Sequence, residues 1–144
     1  MIKIETLTTP SLNDLEQILA IYHAQAWWPE TITDPQRVRR AISGSHCYMV
    51  ARDKARIVGI GRALSDGVGD AYIHDITVIP EYRKQGIATE IVRMIVARLK
   101  KDGLTWMGLI AEPGSPALYE KFGFSPLAKC TPMFSFTTDP QQDS

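Results

Sequence analysis

The chain has 144 residues, and its 16 Lys+Arg are balanced by 16 Asp+Glu. At roughly 100–200 residues per domain this is a single domain, and a neutral chain lacks the excess of cations with which histone-like or tail-like proteins neutralise nucleic-acid phosphates. A hydrophobic share of 44% against 22% charged residues fits an ordinary globular domain with a sizeable core.

Cys47 and Cys130 are far apart, and His23, His46 and His74 are scattered, so neither a disulfide framework nor a metal site is expected. Charges interrupt the start Met1-Ile2-Lys3-Ile4-Glu5, and no apolar run approaches the ~20 residues that span a bilayer. No membrane and no nucleic acid are expected as partners, and a cytoplasmic location follows as the expectation.

In chain order, Ile2, Ile4 and Leu7 follow the near-alternation of a first strand. Ser11 caps a helix with Asp14 at the capping-box position, and Leu12, Leu15, Ile18, Leu19 and Tyr22 recur at helical spacing. Pro29 disfavours helix at Trp28, which marks Ala26 to Glu30 as irregular. Asp34-Pro35 starts a second helix that runs to Gly44. Cys47–Ala51 and Ile57–Gly61 read as a hairpin joined through Arg52-Asp53-Lys54, and Ala71–Ile79 as a third run. From Ile87 to Leu99 the apolar residues Ile87, Ala88, Ile91, Val92, Ile95 and Leu99 form one face of a long helix, with Gly103 as its stop. Leu104–Ala111 is a further strand, Pro116–Phe122 a short helix closed by Gly123, and Met133–Phe136 a last strand. Residues 137–144 form a polar tail, so the domain is placed at 1–136. This order predicts an α/β (α+β) domain with a mixed sheet, in which a strand–helix–strand unit makes two strands parallel.

The stretch from Ile76 to Thr89 leads from strand into the long helix and has the makings of an anion site. Gly86 lets backbone approach a ligand, and the free N–H groups of Gln85, Gly86, Ile87, Ala88 and Thr89 lie at the positive end of the helix dipole. Arg83 and Lys84 add cations beside them. Five consecutive donors suit a diphosphate better than a single phosphate. Neither Gly-x-x-x-x-Gly-Lys-Ser/Thr nor Gly-x-Gly-x-x-Gly occurs.

Arg83-x-x-Gly86-x-Ala88, following Val78-x-Pro80-Glu81-Tyr82, resembles the Arg/Gln-x-x-Gly-x-Gly/Ala signature of the GNAT N-acetyltransferase superfamily. Leu118-Tyr119-Glu120-Lys121-Phe122-Gly123-Phe124 is similar to that family's Leu-Tyr-x-Lys-x-Gly-Phe segment. The resemblance covers about residues 1–136. It implies a mainly antiparallel mixed sheet of about six to seven strands flanked by four helices and splayed at the cofactor site. It also implies acetyl-CoA as cofactor and direct acetyl transfer to an amine without an acyl-enzyme. The diphosphate would lie on the Arg83–Thr89 turn and the pantetheine arm along the backbone of Ile76 and Val78. Many members carry an Asn ahead of the Leu-Tyr segment; here the stretch is Glu112-Pro113-Gly114-Ser115-Pro116, in which either Ser115 or backbone groups would stand in.

By the same resemblance Tyr119 is the acid for the departing thiolate, contacts the cofactor, and has a phenol that stays protonated at neutral pH. The Val78 N–H would serve the oxyanion. For the base, His74 matches a position where amine-acetylating members carry histidine, and imidazole titrates near neutrality. Asp75 is its rival, Tyr72 a water-holder, and Glu112 and Glu30 are within reach of a pocket. On a regular strand Tyr72, His74 and Ile76 share one face while Ile73, Asp75 and Thr77 share the other. The segment between the first two helices covers the acceptor in this family, and here it supplies Trp27, Trp28 and Glu30, suited to a small cationic or aromatic amine. The alternatives are an acetyltransferase of peptide or protein amines and a non-catalytic acetyl-CoA-binding regulatory module. Dimers are frequent in the family, so a homodimer is the assembly to test.

Overall fold

Ser11 closes the predicted capping box: its hydroxyl accepts from Asp14 N at 3.1 Å and the Asp14 carboxylate accepts from Ser11 N at 3.0 Å. The computed structural model describes residues 1–136, so the proposed tail at 137–144 lies outside the described residues. The capped helix is α1 (Leu12–Ala24), which follows β1 (Ile2–Thr6). Then come α2 (Gln36–Gly44), β2 (Cys47–Asp53), β3 (Arg56–Leu64), β4 (Asp70–Val78), a 3-10 turn (Pro80–Tyr82), α3 (Ile87–Lys101), β5 (Trp106–Gly108) and α4 (Pro116–Glu120).

The sheet runs in the order β1-β2-β3-β4-β5. The first three pairings are antiparallel and β4–β5 is parallel, as expected of the strand–helix–strand unit. Alternation along β2 divides the core between the two faces. Cys47, Met49 and Ala51 join the cluster formed with Ile91, Val92 and Ile95 of α3. Tyr48 and Val50 join Leu15 and Ile18 of α1 and Val38 and Ile42 of α2. Gly61 lets α3 approach closely, because a Cβ there would lie 2.5–2.6 Å from the side chains of Ile76 and Ile91.

Two expectations need correction. The sheet has five strands among the described residues, fewer than six to seven. Met133–Phe136 alternates like a strand but pairs with nothing among the described residues, and Met133, Phe134 and Phe136 stay 84–87% exposed. A strand needs a neighbouring edge, and β5 offers three residues where Leu104–Ala111 promised eight. Pro132 also lacks the N–H that a ladder would use.

The second correction concerns β4. Ile60 pairs with Thr77 but Arg62 pairs with His74, so one residue of β3, Gly61, faces two of β4, Asp75 and Ile76. The extra residue is accommodated at Asp75, whose φ of +59° is left-handed. The bulge breaks the expected alternation: Asp75 turns to the α1 side, where it meets Tyr22, and Ile76 packs with Ile73 against α3. His74 and Asp75 therefore share a face.

Candidate active site

β4 and β5 pair only from Asp70/Trp106 to Tyr72/Gly108, and β4 then continues to Val78 paired with β3 alone. The strands part at this point, leaving one side of β4 facing a cleft of about 450 Å³. Its lining brings together Trp27, Trp28, Tyr72, His74, Asp75, Ile76, Ala88, Ser115 and Tyr119 of the predicted site, together with Glu112. A neighbouring cleft of about 410 Å³ is lined by Val78, Arg83, Lys84, Gly86, Ile87, Ala88, Thr89, Ser115 and Lys121, among others. The two clefts share Ala88, Ser115 and Leu118.

The second cleft is built by the turn that starts α3. Lys84 and Gly86 both have left-handed φ, +62° and +80°. Gly86 is the N-cap of α3, has no side-chain cap, and has open space where a Cβ would stand. The first-turn N–H groups of α3 are therefore left for a ligand. Among the described residues every charged side chain lining this cleft is a cation: Arg83, Lys84 and Lys121. These features fit the diphosphate of a coenzyme A. Tyr82 fixes the turn from behind, its hydroxyl donating to Asp53 Oδ2 at 2.6 Å. The Arg83 Nε donates to the Val78 carbonyl at 2.8 Å, so its guanidinium is anchored to β4. Gln85 lines neither cleft. Lys121, in the Leu-Tyr-Glu-Lys block, was not singled out by sequence reasoning, although its place in that block was the available signal.

The first cleft has a different electrostatic character, with no Lys or Arg in its lining. Tyr119 is buried in α4, and burial, followed by the nearby Glu112 carboxylate, raises its phenol above the usual range. Its hydroxyl bonds to no described residue, yet no buried side-chain polar atom is orphaned, so it keeps access to the cleft. Asp75 is buried beneath His74. Its Oδ2 accepts from Arg62 Nε at 2.7 Å and from the Tyr22 hydroxyl at 2.6 Å, while its Oδ1 lies 3.3 Å from His74 Nδ1. Arg62 Nη2 is 3.4 Å from the same ring nitrogen. The Tyr22 and Tyr48 hydroxyls are 3.2 Å apart, and burial pushes both phenols well above their usual range.

Tyr22 also carries the aromatic wall, with Trp28 stacked on it at 4.3 Å and Trp27 edge-on at 5.8 Å. The wall is set by the end of α1: Ala26 N–H donates to the His23 carbonyl and Trp27 N–H to the Tyr22 carbonyl, the two bonds of a Schellman cap. Ala26 takes the left-handed position with φ +56°, where glycine is usual. Glu30 does not join the cleft; its exposed carboxylate lies 3.8 Å from His23 Nδ1. The network of Arg62, Tyr22 and Tyr48 escaped sequence reasoning, although a lone arginine within Ile60-Gly61-Arg62-Ala63 was a signal.

A family model described as Acetyltransferase (GNAT) family matches residues 12–124. Serotonin N-acetyltransferase 2, chloroplastic, from Oryza sativa subsp. japonica is 30% identical over 94 residues, 62% of this chain and 47% of that one. GCN5-related N-acetyltransferase 1, chloroplastic, from Arabidopsis thaliana is 26% identical over 117 residues, 81% of this chain and 58% of that one. The chain thus spans about half the length of these curated relatives. Among solved structures, a GNAT family acetyltransferase from Streptococcus pneumoniae TIGR4 superposes with a TM-score of 0.74 at 25% identity, covering 96% of this chain and 100% of that one. A Clostridium acetobutylicum acetyltransferase solved with acetyl-CoA shares the fold with a TM-score of 0.71 at 17% identity, covering 93% and 96%.

Proposed function

The chain belongs to the GNAT family of acetyltransferases, and on that premise we propose that it moves the acetyl group of acetyl-CoA directly to the primary amine of a small molecule. The observation that carries this reading is the pair of joined clefts: a cation-lined helix start meets, at Ala88, Ser115 and Leu118, a pocket holding Tyr119, His74 and two tryptophans. In the proposal residues 1–136 are one catalytic domain.

Acetyl-CoA would be held by the α3 first-turn N–H groups with Arg83, Lys84 and Lys121, and when bound it supplies an activated acyl thioester. The unpaired side of β4 offers backbone groups to the pantetheine arm, with Ser115 at the junction of the clefts. Direct transfer is supported by the absence of a cysteine from both linings. His74 is the base. We assign its Nδ1 proton to the Asp75 side, where Oδ1 lies at ion-pair distance, 3.3 Å; this tautomer gives up the 3.4 Å contact from Arg62 Nη2 and leaves the Nε2 lone pair to take a proton from the incoming amine. Asp75 acts through His74, because its own oxygens are taken by Arg62, Tyr22 and the imidazole. The Tyr119 hydroxyl holds its proton firmly at neutral pH and can donate it to a thiolate. Val78 N–H is the donor for the carbonyl oxygen.

Among the described residues no helix is long and apolar enough to cross a membrane. A cytoplasmic location belongs to the proposal and is not taken from the two plant relatives, both chloroplastic by name. The test is thiol release from acetyl-CoA with a panel of primary amines and mass detection of the acetylated product. Acetylated amine from at least one small acceptor is expected; hydrolysis alone across the panel would overturn the reading.

A further inference from the structure

The expected ammonium partner, Glu30, does not reach the cleft, which leaves open which group receives the acceptor's charge. Three titratable side chains besides the tyrosines line that cleft: His74, Asp75 and Glu112. Asp75 is neutralised by Arg62, with two hydrogen bonds on its Oδ2 and its Oδ1 against the His74 ring. Glu112 has no cation within ion-pair distance among the described residues. One of its oxygens accepts from the Trp27 indole N–H at 3.3 Å, a contact that ties the segment after α1 to the loop before α4. Its charge bears on Tyr119, whose phenol it helps to raise. A carboxylate held at the aromatic wall, beside the proposed acid, in a lining without Lys or Arg, has a free oxygen and no partner for its charge.

We propose that Glu112, held by Trp27, is the specificity-determining residue that binds the acceptor's cationic nitrogen, so the cleft selects amines beside an apolar or aromatic group and rejects those carrying a carboxylate next to the amine. This rests on the acetyltransferase reading above. Selection comes from both sides. The ammonium gains a charge-assisted hydrogen bond to Glu112 beside the ring faces of Trp27 and Trp28. An acceptor carboxylate would meet Glu112 with no arginine or lysine to offset the repulsion.

The matched pair phenethylamine and phenylalanine tests this, with binding to the full chain followed by tryptophan fluorescence and turnover by thiol release. Phenethylamine is expected to bind at least about tenfold more tightly than phenylalanine, and Glu112→Gln to weaken phenethylamine about ten- to hundredfold while leaving phenylalanine within about twofold. Trp27→Phe, which keeps a ring but removes the indole donor, is expected to weaken phenethylamine in the same direction. Equal binding of the pair, binding of neither, or a Glu112→Gln variant that binds phenethylamine as the parent does would overturn the proposal. Thiol release with some other amine in the same series would show that the acetyltransferase reading survives that failure.

Discussion

Replacing Asp75 by asparagine isolates the charge at the centre of the site. Asparagine tolerates the left-handed conformation that Asp75 adopts, so the backbone adds no new strain and any loss reports the missing carboxylate. The side chains of Asp75 and Arg62 are only 5% and 13% exposed, which leaves Arg62 a nearly buried cation without its counter-charge. Breaking such a pair from one side costs about 3–5 kcal/mol; the amide oxygen can still accept one of the two bonds at Oδ2, which brings the expectation to about 2–3 kcal/mol. At about 3–4 °C per kcal/mol for a chain of this size, the melting temperature should fall by about 6–12 °C. Circular dichroism melts at pH 7 measure it. Adding Arg62→Gln to Asp75→Asn should cost little more, because the pair acts as a unit. A fall below about 2 °C, or strictly additive losses in the double variant, would refute the account of this network.

Three further outcomes follow from local geometry. Arg52 holds the Asp14 carboxyl below its usual range, so the contribution of that bridge is complete above about pH 4 and is lost as pH falls through the depressed folded value; Asp14→Asn should flatten the acid limb of stability against pH, read from melts between about pH 2 and 6. Gly86→Glu should abolish coenzyme A binding in isothermal titration while costing only about 1–2 kcal/mol of stability, since φ is +80° but the space is open. Ala26→Gly should raise stability by about 0.5–1 kcal/mol by relieving the left-handed alanine of the Schellman cap, read as a higher melting temperature.

Features encoded within a few residues were legible in the sequence. The Ser11–Asp14 box and the stops at Gly44 and Gly103 are local chemistry, and the ends of α1, α2 and α3 fall close to them. Likewise the uncapped start of α3, with left-handed Lys84 and Gly86, lies within one short motif, so the turn proposed to hold the diphosphate needs no distant partner to be noticed. What escaped depends on two strands at once. The bulge at Asp75 exists only in the register of β4 against β3, so alternation along β4 alone assigned Asp75 and Ile76 to the wrong faces. The Asp75 network draws Tyr22, Tyr48 and Arg62 from three elements, and no spacing within any one of them signals the meeting. Met133–Phe136 shows the converse, a strand-like pattern that finds no edge to pair with among the described residues.

The two clefts are proposed to carry out acetyl transfer with Tyr119 as the acid. The most direct measurement is the steady-state rate of Tyr119→Phe with a competent amine, since the hydroxyl bonds to no described residue and its loss should leave the fold unchanged. A fall in kcat of about 10²-fold or more is expected, with KM for acetyl-CoA within about twofold. An unchanged kcat would contradict it.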